Sequence, residues 1–164
     1  MLCADPSCNI YLDEVHEMLQ TAFGWDDAHL NVFFIGSAPH DPANENYLCP
    51  FQVEEGDPGI PQNQVRLDET LAEPGDVLFD CYDFGDEWTL TLRLTEVVSA
   101  APDRPRASCF GGDRPAPAED CGGVDTFELI SAALDVDNPV CAPAGRDRRR
   151  GHPHRRRLLA ADGG

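Results

Sequence analysis

Apolar side chains recur at Leu12, Val15, Leu19, Ala22 and Phe23, the three- and four-residue spacing of a helix with one buried face. The run predicts an amphipathic helix over residues 11–23, with Asn9 as a candidate N-cap and Gly24 as its stop. The β-rich stretch His29 to Ile35 follows directly and predicts a half-buried strand that closes at Gly36 and Pro39. The strongest alternation runs over 88–97, where Trp88, Leu90, Leu92 and Leu94 take one face and Thr89, Thr91, Arg93 and Thr95 the other. Residues 77–82 are a second β segment, joined to the first through Asp83-Phe84-Gly85-Asp86-Glu87. A glycine there offers positive φ in a short connection, so the two strands are expected to pair as an antiparallel hairpin.

Elsewhere the pattern weakens. Residues 37–76 are dominated by Pro, Gly, Asn and acidic groups, with apolar islands at 47–51 and 65–67, which predicts short edge strands and long loops. Asp125 followed by Glu128 has the form of a capping box and predicts a helix over 126–134. The expected fold is therefore α+β: an antiparallel sheet of 29–35, 77–82 and 88–97 packed against two or more helices in a single domain. Residues 1–9 stand outside that domain, 10–138 form it, and 139–164, made largely of Pro, Ala, Gly and Arg, form an Arg-rich tail expected to be disordered.

Charge adds an asymmetry. The chain has 164 residues and a net charge of −18, but residues 1–143 carry −23 and residues 144–164 carry +5. A body this acidic repels a phosphate backbone, so nucleic acid is expected to interact only through Arg146–Arg157. All twelve basic residues are Arg, and the absence of Lys excludes a P-loop lysine, a Schiff-base lysine and a protein-kinase lysine. Asp83-Phe84-Gly85 spells the kinase magnesium triplet without any of its companion motifs, so Asp83 and Asp86 are read as turn acceptors and Tyr82, Phe84 and Trp88 as packing or groove residues. The seven cysteines show no Cys-x-x-Cys pair. With no stretch that could span a bilayer and no leader, free thiols in a cytoplasmic protein are expected, with no membrane association.

Three blocks together resemble the plasmid pRiA4b ORF-3-like family, which includes transposon-passenger TnpR-like proteins. They are Leu12–Gln20 with Phe23-Gly24-Trp25 and His29-Leu30, then Tyr82–Trp88, then Pro115–Gly123. The resemblance implies a compact α+β domain of unknown biochemical function. It also implies a start truncated relative to the family and an altered, frame-shifted end. Ala116 stands where the family's Cys-Pro-Pro-Glu-Asp-Cys loop has its first cysteine. A missing first strand would leave an edge uncovered and favour a homodimer.

The sequence contains no complete catalytic motif, so the reading leans away from an enzyme and assigns no cofactor, catalytic residue or metal ligand. The leading expectation is a binding or accessory protein associated with mobile elements. Its groove would be lined by Trp25, His29, Tyr82, Asp83, Asp86, Trp88, Glu119, Asp120 and Cys121, and its partner would be another protein or a small ligand. One alternative is a small metal-dependent hydrolase using Glu119-Asp120-Cys121; a buried thiol beside Gly122-Gly123 is the plainer reading of that loop. Another is weak nucleic-acid binding through the tail. His16 and His29, in adjoining elements, are read as packed or surface histidines that could approach each other.

Overall fold

The computed structural model describes residues 10–98, 106–109, 111–112 and 116–134. The first helix, α1, spans Leu12–Phe23 and buries Leu12, Val15, His16 and Gln20. Asn9 lies outside the described residues. Tyr11 occupies the N-cap, where its backbone N–H donates to Glu14 Oε2 at 2.9 Å. Gly24 ends the helix in the left-handed region, φ 73°, and its N–H donates to the Gln20 carbonyl at 2.8 Å.

Strand β1 (Asn31–Ile35) is the middle strand of a five-stranded sheet. It pairs antiparallel with β2 (Glu45–Leu48) on one side and with β4 (Val77–Tyr82) on the other. The expected hairpin is present, with β4 pairing antiparallel to β5 (Trp88–Arg93) through six residue pairs from Val77–Arg93 to Tyr82–Trp88. The sheet is mostly but not wholly antiparallel, because the two-residue β3 (Ile60–Pro61) pairs parallel with β2 at the edge. Strand β5 is shorter than its alternation suggests. Beyond Arg93 the Leu94 N–H donates to the Asp76 carbonyl, so the apolar period continues after ladder pairing has ended.

The segment expected to hold only loops and edge strands carries two short helices. Helix α2 (Pro50–Glu55) has Pro at its first position, a Gln52 side chain that accepts from Cys49 N–H, and Gly56 at φ 82° beyond its end. Helix α3 (Leu67–Thr70) is capped where Arg66 N–H donates to Glu69 Oε2 at 2.9 Å. At four to six residues, neither is long enough to display a helical period; only its caps betray it. The last helix, α4, spans Gly123–Ala133 and begins earlier than expected, after Gly122 at φ 88° rather than at Asp125. Most of α4's apolar side chains, including Val124, Leu129 and Ile130, are exposed, and Phe127 packs against the core.

The two sheet faces bury different sets. Phe33, Tyr47, Leu78, Tyr82, Trp88, Leu90 and Leu92 join Ile10, Leu12, Val15 and Leu67 in the larger core. Val32, Phe34, Leu48 and Cys81 form a smaller one on the opposite face, with Phe79 and Phe84 against it. No described helix is long and apolar enough to cross a membrane. The tail and residues 1–9 lie outside the described residues.

Candidate histidine and carboxylate site

The turn 83–87 gathers the other loops at one end of the sheet. Its left-handed positions are Asp83 (φ 54°) and Glu87 (φ 56°), rather than the glycine expected to take that role. Asp83 Oδ1 accepts the N–H groups of Gly85 at 3.0 Å and Asp86 at 3.3 Å, the turn-acceptor role its position suggests. Asp86 instead reaches out of the turn, and its Oδ2 accepts Gly122 N–H at 2.8 Å.

Residues 116–123 are fastened across this end. Trp25 Nε1 donates to the Pro117 carbonyl at 2.9 Å, and Asp26 N–H donates to Glu119 Oε2 at 2.9 Å. The Tyr82 hydroxyl donates to Glu119 Oε1 and accepts Ala28 N–H at 3.1 Å. Burial, then Glu119, hold the Tyr82 phenol well above its ordinary pKa, so it stays a donor. Close approach is required at Gly123, where a Cβ would stand 2.9 Å from the Asp86 carbonyl oxygen and where φ is +76°.

Four of the nine candidate groove residues are buried, Asp83 and the three aromatic ones, and the aromatic ones belong to the core. Trp25, Tyr82 and Trp88 are all buried; Trp25 stacks between Phe23 at 4.7 Å and Tyr82 at 4.9 Å, because sheet alternation turns Tyr82 and Trp88 into the larger core. Glu119 has both carboxylate oxygens occupied in holding the loop. Cys121 is half-buried, and burial, then Asp86, raise its thiol pKa, which disfavours the nucleophilic thiolate. An open cleft of about 600 Å³ does lie alongside, bounded by Pro39, Phe79, Thr89, Gly122 and Asp125, but of the nine only Asp86 lines it.

His29, Asp83 and Asp120 remain, and the structure brings them together from β1's approach, the hairpin turn and the fastened loop. His29 Nδ1 lies 3.7 Å from Asp83 Oδ1, and its Nε2 lies 3.0 Å from Asp120 Oδ1. Asp83 is buried, His29 is 29% exposed and Asp120 is 75% exposed, so the group opens toward solvent on the Asp120 side. One ligand atom from each lies within 4.8 Å of the others, a donor set able to hold a cation; Cys109 and Cys121 are not part of it.

A second histidine is held in the same manner inside the fold. His16 Nε2 lies 2.9 Å from Asp27 Oδ1 and 3.2 Å from Gln20 Nε2, and its Nδ1 lies 3.7 Å from Asp80 Oδ2. The polar chain continues from Asp80 Oδ1 to Asn31 Nδ2 at 3.0 Å, and from Asn31 Oδ1 to Gln62 Nε2 at 3.3 Å. Burial opposes a charged imidazole here, but Asp80 and Asp27 outweigh it and raise the His16 pKa. The two histidines each pack against the Tyr82 ring, with centroids at 5.8 and 5.9 Å. Sequence reasoning missed Asp80 and Asp27 as the partners of His16. The available signal was an acid within the apolar run Val77–Tyr82, on the same face as Leu78 and Tyr82.

All five described non-glycine residues with positive φ belong to histidine–carboxylate contacts: Asp27 on His16, Asp83 and Asp120 on His29, and His40 with Glu87 at 3.7 Å. Each such backbone costs roughly 1 kcal/mol, and strain of this kind is often retained where side chains must be aimed.

The model of a family described as plasmid pRiA4b ORF-3-like protein matches residues 7–144. An uncharacterized protein, y4hQ, of Sinorhizobium fredii strain NGR234 is 29% identical over 127 residues, which cover 76% of this chain and 60% of that relative. The crystal structure of a protein of unknown function, MM3350, from Methanosarcina mazei Go1 superposes with a TM-score of 0.64 at 25% identity, covering 77% of this chain and 68% of that one.

Proposed function

The chain belongs to the plasmid pRiA4b ORF-3-like family, and from that premise we propose that it is a non-enzymatic binding domain that takes a positively charged ligand at the end of its sheet. The observation that carries this reading is the exposed Asp120 carboxylate set against His29 and Asp83 on a loop that Trp25, Tyr82 and Asp86 hold in place. The apolar and hydroxyl groups of that end are spent on fastening, while carboxylates face solvent on a body already carrying −23 over residues 1–143. Such a surface attracts cations and discriminates against anions. The plasmid in the family's description supports an accessory protein carried with mobile DNA.

The test is localisation. A 15N NMR titration in about 0.15 M salt, where diffuse surface attraction is screened beyond ~8 Å, would use divalent cations, spermidine and an arginine-rich peptide as probes. At least one is expected to shift amides concentrated at residues 28–30, 82–87 and 118–123. Shifts scattered over the acidic surface, or none from any probe, would overturn the reading.

A further inference from the structure

We propose that His29, Asp83 and Asp120 bind a divalent first-row transition-metal ion, of which Zn2+ and Mn2+ are the test cases. This deepens the cation-binding reading above and rests on it.

One imidazole nitrogen and two carboxylate oxygens form a donor set suited to borderline and hard divalent metals. Their ligand atoms lie within 4.8 Å of one another. Ligands at tetrahedral angles on a shell of about 2.1 Å radius stand about 3.4 Å apart, so closure around an ion needs the widest pair to approach by up to about 1.4 Å. All three ligands lie on loops or turns outside the strands and helices, which permits that adjustment.

The state of His29 is the second observation. Its Nε2 is shut off from solvent and has no hydrogen-bond partner, although Asp120 Oδ1 is only 3.0 Å away. A buried polar atom left without a partner costs about 1–3 kcal/mol. An ion seated between this nitrogen and Asp120 would satisfy it, with the Asp83 carboxylate, 3.7 Å from Nδ1 on the other side of the ring, swinging toward it. Asp83 is also oriented as a ligating carboxylate commonly is, its Oδ1 fixed by the N–H groups of Gly85 and Asp86 and its backbone N–H by the Leu30 carbonyl at 3.0 Å. The Tyr82 ring edge, with its centroid 5.9 Å from that of His29, limits rotation of the imidazole.

Three protein ligands, one of them largely exposed, leave coordination positions open to water or to an anionic group of a partner. The ion would thus reverse the sign of the field at one point on an acidic surface. The competing account is a plain chain of two carboxylates flanking an imidazole, which needs no metal.

The experiment uses the full chain carrying His152→Ala and His154→Ala, so that tail histidines cannot contribute. After treatment with a chelator, the protein is titrated calorimetrically with Zn2+ and with Mn2+, and Co2+ is added to read the ligand set optically. One equivalent is expected to bind, with a rise in melting temperature and with Co2+ bands free of thiolate charge transfer. His29→Ala and Asp120→Asn, checked for folding by circular dichroism, should each weaken binding at least tenfold, while Cys121→Ser should not. The inference is overturned if neither metal binds, if binding survives both variants, or if a thiolate band appears. If both metals fail while spermidine or the peptide still shifts residues 28–30, 82–87 and 118–123, the metal falls and the cation-binding reading stands.

Discussion

Among the described residues, His16→Ala removes the only imidazole near a carboxylate that is almost wholly buried. Asp80 is 1% exposed and would keep a single hydrogen bond, from Asn31 at 3.0 Å. Breaking a buried pair from one side costs about 3–5 kcal/mol, much of it from the charge left behind. Asp80→Asn removes that charge and retains a carbonyl for Asn31 to donate to, so a smaller loss of about 1–2 kcal/mol is expected. In the double variant no buried charge is stranded, and the two single losses should fail to add by at least ~1 kcal/mol.

The pH dependence carries a sign that follows from the direction of the shift. Folding raises the His16 pKa above its unfolded value of about 6.5. Its stabilisation is therefore fully present below pH ~6.5 and is lost as pH rises through the folded value. Urea unfolding between pH 5.5 and 9, followed by fluorescence of the buried Trp25 and Trp88, measures this directly. The wild-type chain should lose stability toward alkaline pH, and His16→Ala should lack that slope. Equal slopes in the two proteins, or strictly additive single losses, would refute the reasoning.

Three further outcomes follow from the same end of the sheet. Gly123→Ala places a methyl 2.9 Å from the Asp86 carbonyl at φ +76°, and should cost at least about 1–2 kcal/mol while speeding amide exchange across residues 116–123. Tyr82→Phe leaves Ala28 N–H and Glu119 without their hydroxyl partner and should cost about 1–3 kcal/mol, read as a lower melting temperature with the sheet's circular dichroism unchanged. Burial and the neighbouring Asp80 push the Cys81 thiol up to about 12, so alkylation of native protein at pH 8, mapped by mass spectrometry, should modify exposed Cys109 well before Cys81.

What the sequence revealed tracks how local each signal is. Helix α1 with its Gly24 stop, the hairpin of 77–82 with a strand read as 88–97 and observed as Trp88–Arg93, and the α+β class all rest on periodicity or on residues a few positions apart. Helices α2 and α3 escaped because a four- or six-residue helix shows its caps but not its period. The strand at 29–35 was legible, but its place in the middle and the order of the sheet could not be read, since Val32 meets both Leu48 and Cys81 across long intervals of chain. The candidate site was legible as a set of blocks but not as a division of labour. His29 finds Asp83 and Asp120 only after folding, while Trp25, Tyr82 and Trp88, aromatic residues that a binding groove would also favour, turn out to hold the core. Asp80 shows the remaining gap: a carboxylate on a core face calls for polar or charged partners, and that need was readable even though His16 and Asn31 as the partners were not.

The central claim is that the Asp120 carboxylate serves a ligand rather than the fold. The most direct measurement is the unfolding free energy of Asp120→Asn against wild type without added ligand, since Asn tolerates the left-handed backbone at φ 53° and differs chiefly in charge. The account predicts a variant within about 0.5 kcal/mol of wild type, or more stable through relieved repulsion, as is common where a site trades stability for function. A loss greater than about 1.5 kcal/mol would contradict it, placing the carboxylate among the groups that hold the loop in place.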